Sequence, residues 1–334
     1  MLFNMKFFFK NSVLLLFLSY ATQLYSASNE LSSGSASNEL SPGSASNESS
    51  LAKRARHSED GFGDFRFNRW IASGKCGDVS LYVNDKGECR ACKEAFASAF
   101  FCSEKKSLER LKQVNNESTV LREIEHKNII KMFSSHNDGV KTYLMLEYCE
   151  QGDLFDFIIT KPTTRLLYFD PFFHSLGQAI SFIHEKGFLH RDIKPENILL
   201  TKQHGHKPPE DLTIKICDFG LAKKFADGDR AVTCCGTPEY IAPEVLMAGI
   251  NKQYSYGFPA DWWSFGVVVA TLRLGFAPFT HKGEASDNEV KQRILWVDPD
   301  FVPCTGPDID EALKTKMAGF LHKDPKYRSK YTLN

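Results

Sequence analysis

Two stretches carry residue types that do chemistry together: GFLHRDIKPENILL, from Gly187 to Leu200, and IKICDFGLAK, from Ile214 to Lys223. The first is a polar turn between apolar segments, and it holds Asp192 and Asn197 five residues apart. The second is a β-like run that ends in Asp218 and a glycine. Two oxygen-bearing side chains on neighbouring loops suit a hard cation such as Mg2+, which takes oxygen ligands. A third carboxylate beside them would orient a hydroxyl nucleophile. The tripeptide Asp218-Phe219-Gly220 turns up by chance, but the two stretches in this order, about twenty residues apart, are very specific.

On these motifs the chain resembles a eukaryotic-type serine/threonine protein kinase, of the calmodulin-dependent and cyclic-AMP-dependent groups, from about Asp64 to the C-terminus. The resemblance implies an α+β, two-lobed fold with a small β-rich N-lobe over 64–147 and a larger, mainly helical C-lobe over 148–334. It implies ATP and Mg2+ as cofactors and proteins with Ser or Thr acceptors as partners. Asp192 is then the base that accepts the substrate hydroxyl proton, Asn197 and Asp218 hold the metal, and Lys194 neutralises the moving phosphoryl group. A lysine two residues after the catalytic Asp, as in HRDIKPEN, is the serine/threonine version of this loop.

The nucleotide end of such a site lies upstream. IASGKCGDV, Ile71 to Val79, resembles the glycine-rich loop, with strand-like SLYV and a turn at NDKGE behind it. Gly74 and Gly77 let the backbone approach the phosphates. The family's first glycine is Ala72 here, which predicts a stiffer loop and weaker nucleotide binding. Fourteen residues beyond Val79, RACKEAF supplies Ala91 at the nucleotide pocket and Lys93 as the phosphate-binding lysine. Counting back from His126 puts its helix carboxylate at Glu117, with Glu109 and Glu123 as rivals. The spacing from Lys93 predicts an insertion in the loop before that helix. In TYLMLEYCEQGDLFDF, the resemblance makes Leu146 the gatekeeper; Glu147 and Cys149 offer backbone hydrogen bonds to adenine, and Asp153 reaches the ribose.

Downstream, AVTCCGTPEYIAPE resembles an activation segment. Thr233 stands where related kinases take an activating phosphate, with Arg191 and Lys223 placed to grip it. Thr237 lines the substrate site beside Asp192. Glu244 is expected to pair with Arg328, and Asp261 to anchor the catalytic turn from below. Asp153 and Glu196 lie where some relatives read basic residues before the target, so Arg or Lys upstream of the acceptor is the predicted preference.

The surrounding sequence sets the frame. In 334 residues, 41 Lys and Arg balance 41 Asp and Glu, which implies no polyanionic partner such as nucleic acid. VLLLFLSYA, Val13 to Ala21, follows Lys6 and Lys10 and precedes small residues, so 1–21 reads as a signal peptide whose end lies between 21 and 27. Lys10 and Asn11 interrupt any run of the ~20 apolar residues that a membrane span needs. Nearly three copies of a nine-residue Ser/Asn/Gly unit follow, and with the basic cluster Lys53–Arg56 they read as a disordered linker over 26–63. The chain stops six residues after Arg328, where related domains continue into one more helix, so the base of the larger lobe is expected to be incomplete.

Other motifs have plainer readings. The His204-Gly205-His206 run lacks a ligand cluster and reads as a solvated insertion. Cys89 and Cys92 overlap the Lys93 strand and read as free thiols, as do adjacent Cys234 and Cys235; Cys217 reads as a small apolar lining of the nucleotide pocket. Nine scattered cysteines argue for a reducing compartment, whereas the N-terminus argues for export. Export followed by action in another cell's cytosol reconciles the two, with the secretory lumen as the alternative. Asn116-Glu117-Ser118 is an N-glycosylation sequon, as is Asn47-Glu48-Ser49, and a glycan on Asn116 would crowd the Lys93–Glu117 pair. A pseudokinase would have lost Lys93, Asp192, Asn197 or Asp218, and a structural protein would not hold these motifs in order. An active kinase is the reading the sequence supports.

Overall fold

The computed structural model describes residues 62–74, 77–96, 104–137, 141–203, 205–226, 229–280, 286–299, 301 and 309–332. The stretch read as a signal peptide, the nine-residue repeats, Lys53–Arg56, the Asn47 sequon, Lys75, Cys76 and His204 lie outside them.

Alternating side chains and turn residues build the first sheet. Strands β1 (Arg66–Gly74), β2 (Gly77–Val83), β3 (Cys89–Phe96), β4 (Met132–Asn137) and β5 (Lys141–Glu147) run antiparallel in the order β1-β2-β3-β5-β4. A strand shows alternate residues to opposite faces, and β3 uses both. Cys92 packs outward with Phe65, Tyr82, Tyr143 and Met145 in a small apolar cluster. Ala91 and Lys93 turn to the other face, where their strand neighbours are Leu81 and Leu146, and Val79 and Leu144. Helix α1 (Glu104–Glu123) packs on this sheet between β3 and β4.

The second, larger part is mainly helical: α2 (Leu154–Thr160), α3 (Phe169–Glu185), α4 (Pro243–Ile250), α5 (Pro259–Leu274), α6 (Asp287–Trp296) and α7 (Glu311–Phe320). Helix α5 is apolar on every side, as a helix wholly inside a protein must be, and each residue from Ala260 to Leu274 is buried. Trp263 and Phe265 are fully enclosed, with Trp263 stacked on Phe279. Tyr331 closes the base of this core among Phe173, His174 and Phe265.

Two short two-stranded sheets mount the loops on that core. Strands β7 (Ile198–Lys202) and β8 (Leu212–Ile216) pair antiparallel, and β6 (Phe188–Leu189) pairs with β9 (Lys223–Lys224). The residues after α1 join the same framework, since Asn128 C=O accepts from Ile216 N–H and Ile130 N–H donates to Ile216 C=O. The two-lobed α+β architecture implied by the sequence is therefore present.

Candidate active site

The turn after β6 is bent by its own backbone. Arg191 has φ 71°, the left-handed region that costs a branched or long side chain energy. Asp261, at the start of α5, holds it there. One carboxylate oxygen accepts from His184 Nε2 and His190 N–H, both at 2.8 Å, and the other accepts from Arg191 N–H at 3.0 Å. Burial alone would raise the Asp261 pKa, but these donors and the His184 imidazole bring it below the usual carboxylate value. The expected anchor from below is in place.

Asp192 follows, and its carboxylate is shared by the groups chosen from the sequence. Lys194 Nζ lies 2.7 Å from Asp192 Oδ2 and 2.7 Å from Thr237 Oγ1. Thr237 Oγ1 donates in turn to Asp192 Oδ1 at 3.0 Å. Asn197 Nδ2 bonds both Asp192 C=O and Oδ2, at 2.8 and 2.9 Å. This consumes the Asn197 donors and leaves its amide oxygen as a hard ligand. Glu196 sits on the same 3₁₀ turn, Pro195–Asn197, close enough to act electrostatically on buried Tyr240.

Asp218 arrives on the neighbouring loop. Cys217 N–H donates to Asn197 C=O at 2.9 Å and His190 Nε2 meets Cys217 C=O at 3.2 Å, which ties the two loops together. A carbonyl only accepts, so Nε2 carries the His190 proton. Nδ1 then accepts from Asp192 N–H, and burial pushes the His190 pKa down, in keeping with a neutral ring. Asp218 is also left-handed, with φ 64°.

Lys93 joins the sheet to this loop. Its Nζ lies 2.5 Å from Glu117 Oε2 and 3.0 Å from Asp218 Oδ1. Glu117 is almost fully enclosed; burial pushes its pKa up while the Lys93 charge opposes that shift. The rivals stand elsewhere: Glu109 is exposed, and Glu123 pairs with Lys224. The loop expected to carry an insertion, 97–103, lies outside the described residues; β3 ends at Phe96 and α1 is already helical at Glu104, so residues 104–117 of the Lys93–Glu117 separation are helix.

The residues chosen from the sequence for the nucleotide stand on the β1–β2 hairpin, β3, the connector after β5 and the start of α2. Gly74 pairs with Gly77 to close the β1–β2 hairpin, and Ala72 stands opposite Val79 beside the strand irregularity at Ile71, so the hairpin forms without the first glycine. Gly77 has φ 137°, and a Cβ there would lie 2.4 Å from Glu94 C=O; only glycine fits. Glu147 C=O and Cys149 open the connector after β5. Among the described residues no backbone hydrogen bond occupies the Cys149 N–H or C=O. Burial pushes the thiol pKa up to about 12 for Cys149 and well up for Cys217, so both behave as apolar lining. Asp153 caps α2, accepting from Asp156 N–H at 2.8 Å, a role the sequence reading had not given it.

Thr233 is exposed, as a modifiable hydroxyl must be. Arg191 and Lys223 are otherwise engaged: Arg191 Nε bonds Leu221 C=O at 2.6 Å, and Lys223 Nζ faces Arg230 C=O and the Phe225 ring. Tyr256 OH, which also bonds the Arg191 side chain, donates to Thr233 C=O at 2.5 Å. The Glu244–Arg328 bridge is bidentate, at 2.6 and 2.8 Å. Sequence reasoning missed Asn115, Asn116 and Tyr256; the only signal at Asn116 was its sequon.

Asn197 and Asp218 fit Mg2+. They offer one amide oxygen and one carboxylate, and Mg2+ keeps several waters and takes few protein ligands beside substrate phosphates. No cluster of three or more His, Cys, Asp or Glu suited to another metal occurs among the described residues. All six cysteines within them are free thiols, and none of their helices is long and apolar enough to cross a membrane.

Comparison with known proteins agrees with this geometry. The family described as "Protein kinase domain" matches residues 65–332. Calcium/calmodulin-dependent protein kinase type 1B of Homo sapiens is 34% identical over 277 residues, 82% of this chain and 74% of that protein. Calcium/calmodulin-dependent protein kinase type 1 of Caenorhabditis briggsae is 35% identical over 228 residues, 68% of this chain and 60% of that protein's length. Serine/threonine-protein kinase ULK1 of Homo sapiens is 31% identical over 273 residues, 80% of this chain and 24% of that protein. On its matched length and on the order of its site residues, the chain belongs to the protein kinase domain family.

Proposed function

We propose that the protein is a serine/threonine kinase that transfers the ATP γ-phosphate to hydroxyls of protein substrates. The observation that carries this is a pair of linked clusters: Lys93 with Glu117 and Asp218, and Asp192 with Lys194, Asn197 and Thr237, their loops tied by the Cys217 N–H to Asn197 C=O bond. Lys93 binds phosphate oxygens and is aimed by Glu117. Asp192 orients the acceptor hydroxyl and takes its proton. Lys194, between Asp192 and Thr237, faces the charge of the phosphoryl group in flight. Mg2+, when bound by Asn197 and Asp218, supplies charge neutralisation at the phosphates. Positioning and electrostatics do most of the work in this reaction.

The finer reading rests on particular residues. Asp153 and Glu196 support a preference for Arg or Lys before the acceptor, and a peptide array selecting acidic or proline-directed sites would refute it. Exposed Thr233 supports activation by phosphorylation, for which Arg191 and Lys223 would have to turn from their present partners. The N-terminal leader pattern and the free thiols support an exported kinase that acts in the cytosol of another cell. Quantitative glycosylation of Asn116 in the native, active protein would count against that destination.

The test is phosphate transfer from ATP/Mg2+ to a generic protein substrate by the full chain and by Asp192→Asn, scored for phosphoserine, phosphothreonine and Thr233. Transfer that vanishes in the variant is the expected result. A folded wild type that binds nucleotide and transfers nothing would make the protein a binding module instead.

A further inference from the structure

Three consecutive residues of α1 reach three parts of the fold. Asn115 Oδ1 accepts from Asn137 Nδ2 at 2.8 Å and from Thr142 Oγ1 at 2.7 Å, which fixes the helix to β4 and β5. Glu117 takes Lys93 of β3. Asn116 lies about 100° round the helix from each neighbour, as 3.6 residues per turn requires. It faces the segment behind Asp218. Its Nδ2 lies 3.1 Å from Phe219 C=O, 3.1 Å from Gly220 C=O and 2.8 Å from Ala222 C=O.

The chemistry of that contact is specific. A primary amide has two protons in one plane, so it serves three carbonyls by sharing one proton between two of them. An ionised Asp has none to give, and Ser has one. Phe219 is gripped on both sides of its Cα, because its N–H donates to the Glu117 carboxylate while its C=O accepts from Asn116. Gly220 lets the two backbones approach: a Cβ there would lie 3.1 Å from Gln113 Cβ and 3.2 Å from Asp218 Oδ1. A second tie, Glu123 to Lys224 of β9, is half exposed and contributes little by itself.

We propose that Asn116 is a positioning residue: its side-chain amide fastens the segment from Asp218 to Ala222 onto α1, so that Glu117 and Asp218 reach Lys93 together. The role rests on the kinase reading for its consequence in turnover, but not for its geometry. It also means that the sequon must stay unmodified for activity, since a glycan on Nδ2 removes a donor and occupies the space between helix and loop.

The experiment uses the full chain made in a cytosol without N-glycosylation. Asn116→Asp keeps the shape and removes both donors. It is expected to lower kcat about 10- to 100-fold, the scale of a small misplacement of reacting groups, and to raise the Mg2+ concentration for half-maximal rate. If Asn116 acts through the placement of Glu117, the same change on a Glu117→Gln background lowers kcat far less than it does alone. A wild-type rate, or an equal fold-loss in both backgrounds, overturns the proposal.

A second measurement needs no variant to fold. In the wild-type chain, the assigned Asn116 side-chain NH2 should exchange with D2O at least about tenfold more slowly than that of exposed Asn251, because it exchanges only when α1 and the loop separate. Equal rates overturn the clamp. Absence of phosphate transfer by the wild type would defeat the kinase reading, and the exchange rate would still decide the clamp.

Discussion

Asp261→Asn tests whether the catalytic turn is held as described. The native carboxylate receives three donors, two on Oδ2 and one on Oδ1. An amide has only one oxygen. Placed to serve His184 and His190, it points its NH2 at Arg191 N–H, and two donors then face each other at about the native separation. The lost charge-assisted bond is worth about 1.5–3 kcal/mol, and a buried donor left unsatisfied costs about 1–3 kcal/mol more. The left-handed Arg191 then lacks the bond that offsets its strain, itself on the order of 1–3 kcal/mol. Since these terms overlap, a net loss of about 3–5 kcal/mol is expected. At about 2–4 °C per kcal/mol for a domain of this size, the melting temperature falls by roughly 6–20 °C.

Catalysis should suffer separately, because Asp192 follows Arg191 directly. Measured at a temperature where both proteins are folded, kcat should drop at least about tenfold as Asp192 loses its placement. KM for ATP should change little, because Lys93 and the β1–β2 hairpin are held by other bonds. Thermal melts and steady-state kinetics on the same samples decide it. A melting temperature within 2 °C of wild type, together with kcat within about twofold, would refute the reasoning.

Two further outcomes follow from buried charge. Arg328→Met should destabilise by about 3–5 kcal/mol in urea melts because Glu244 keeps a buried charge without its partner, whereas Arg328→Met with Glu244→Gln should recover more than half of that loss; a double variant no better than the single would sink this account. Acid should weaken the fold early: His190 and His126 have pKa values pushed down by burial, so their stabilisation is complete above the free histidine value of about 6.5 and is lost as pH falls toward the folded value. The urea midpoint should therefore fall as pH drops below about 6.5, while Asp261, also depressed, adds its loss only near its lower free value of about 3.9; a midpoint that rises just below about pH 6.5 contradicts the neutral His190.

The order of motifs made most of the site legible, but by unequal routes. Lys93, Asp192, Asn197 and Asp218 each sit in a local run whose residue types the chemistry requires, and the structure gathers all four. Glu117 was reached only by counting from His126, since Glu109 and Glu123 carry the same charge on the same helix. What separates them is direction: Glu117 turns toward β3 and is enclosed, while Glu123 turns toward β9. The helix itself is weakly marked, because EKKSLERLKQVNN before Glu117 is polar with a weak apolar stripe. Its neighbours supply what its own sequence does not, through Asn115 to the sheet and Asn116 to the loop.

Partners that are side chains can be sought in a sequence, because both halves have identities; Glu244 and Arg328 were matched that way across 84 residues. Partners that are backbone carbonyls have none. Asn116 bonds three carbonyls more than a hundred residues away, Arg165 bonds those of Leu272 and Arg273 at the end of α5, and Lys323 bonds those of Ile294 and Val297 at the end of α6. Gly220 apart, where a side chain would crowd the helix, other residue types on the accepting side would give the same bond, so little on that side marks it. Such ties fix where the loops stand, and the chemistry depends on them: Asp218 has the right side chain by sequence alone, but its position at Lys93 follows from what holds the residues behind it.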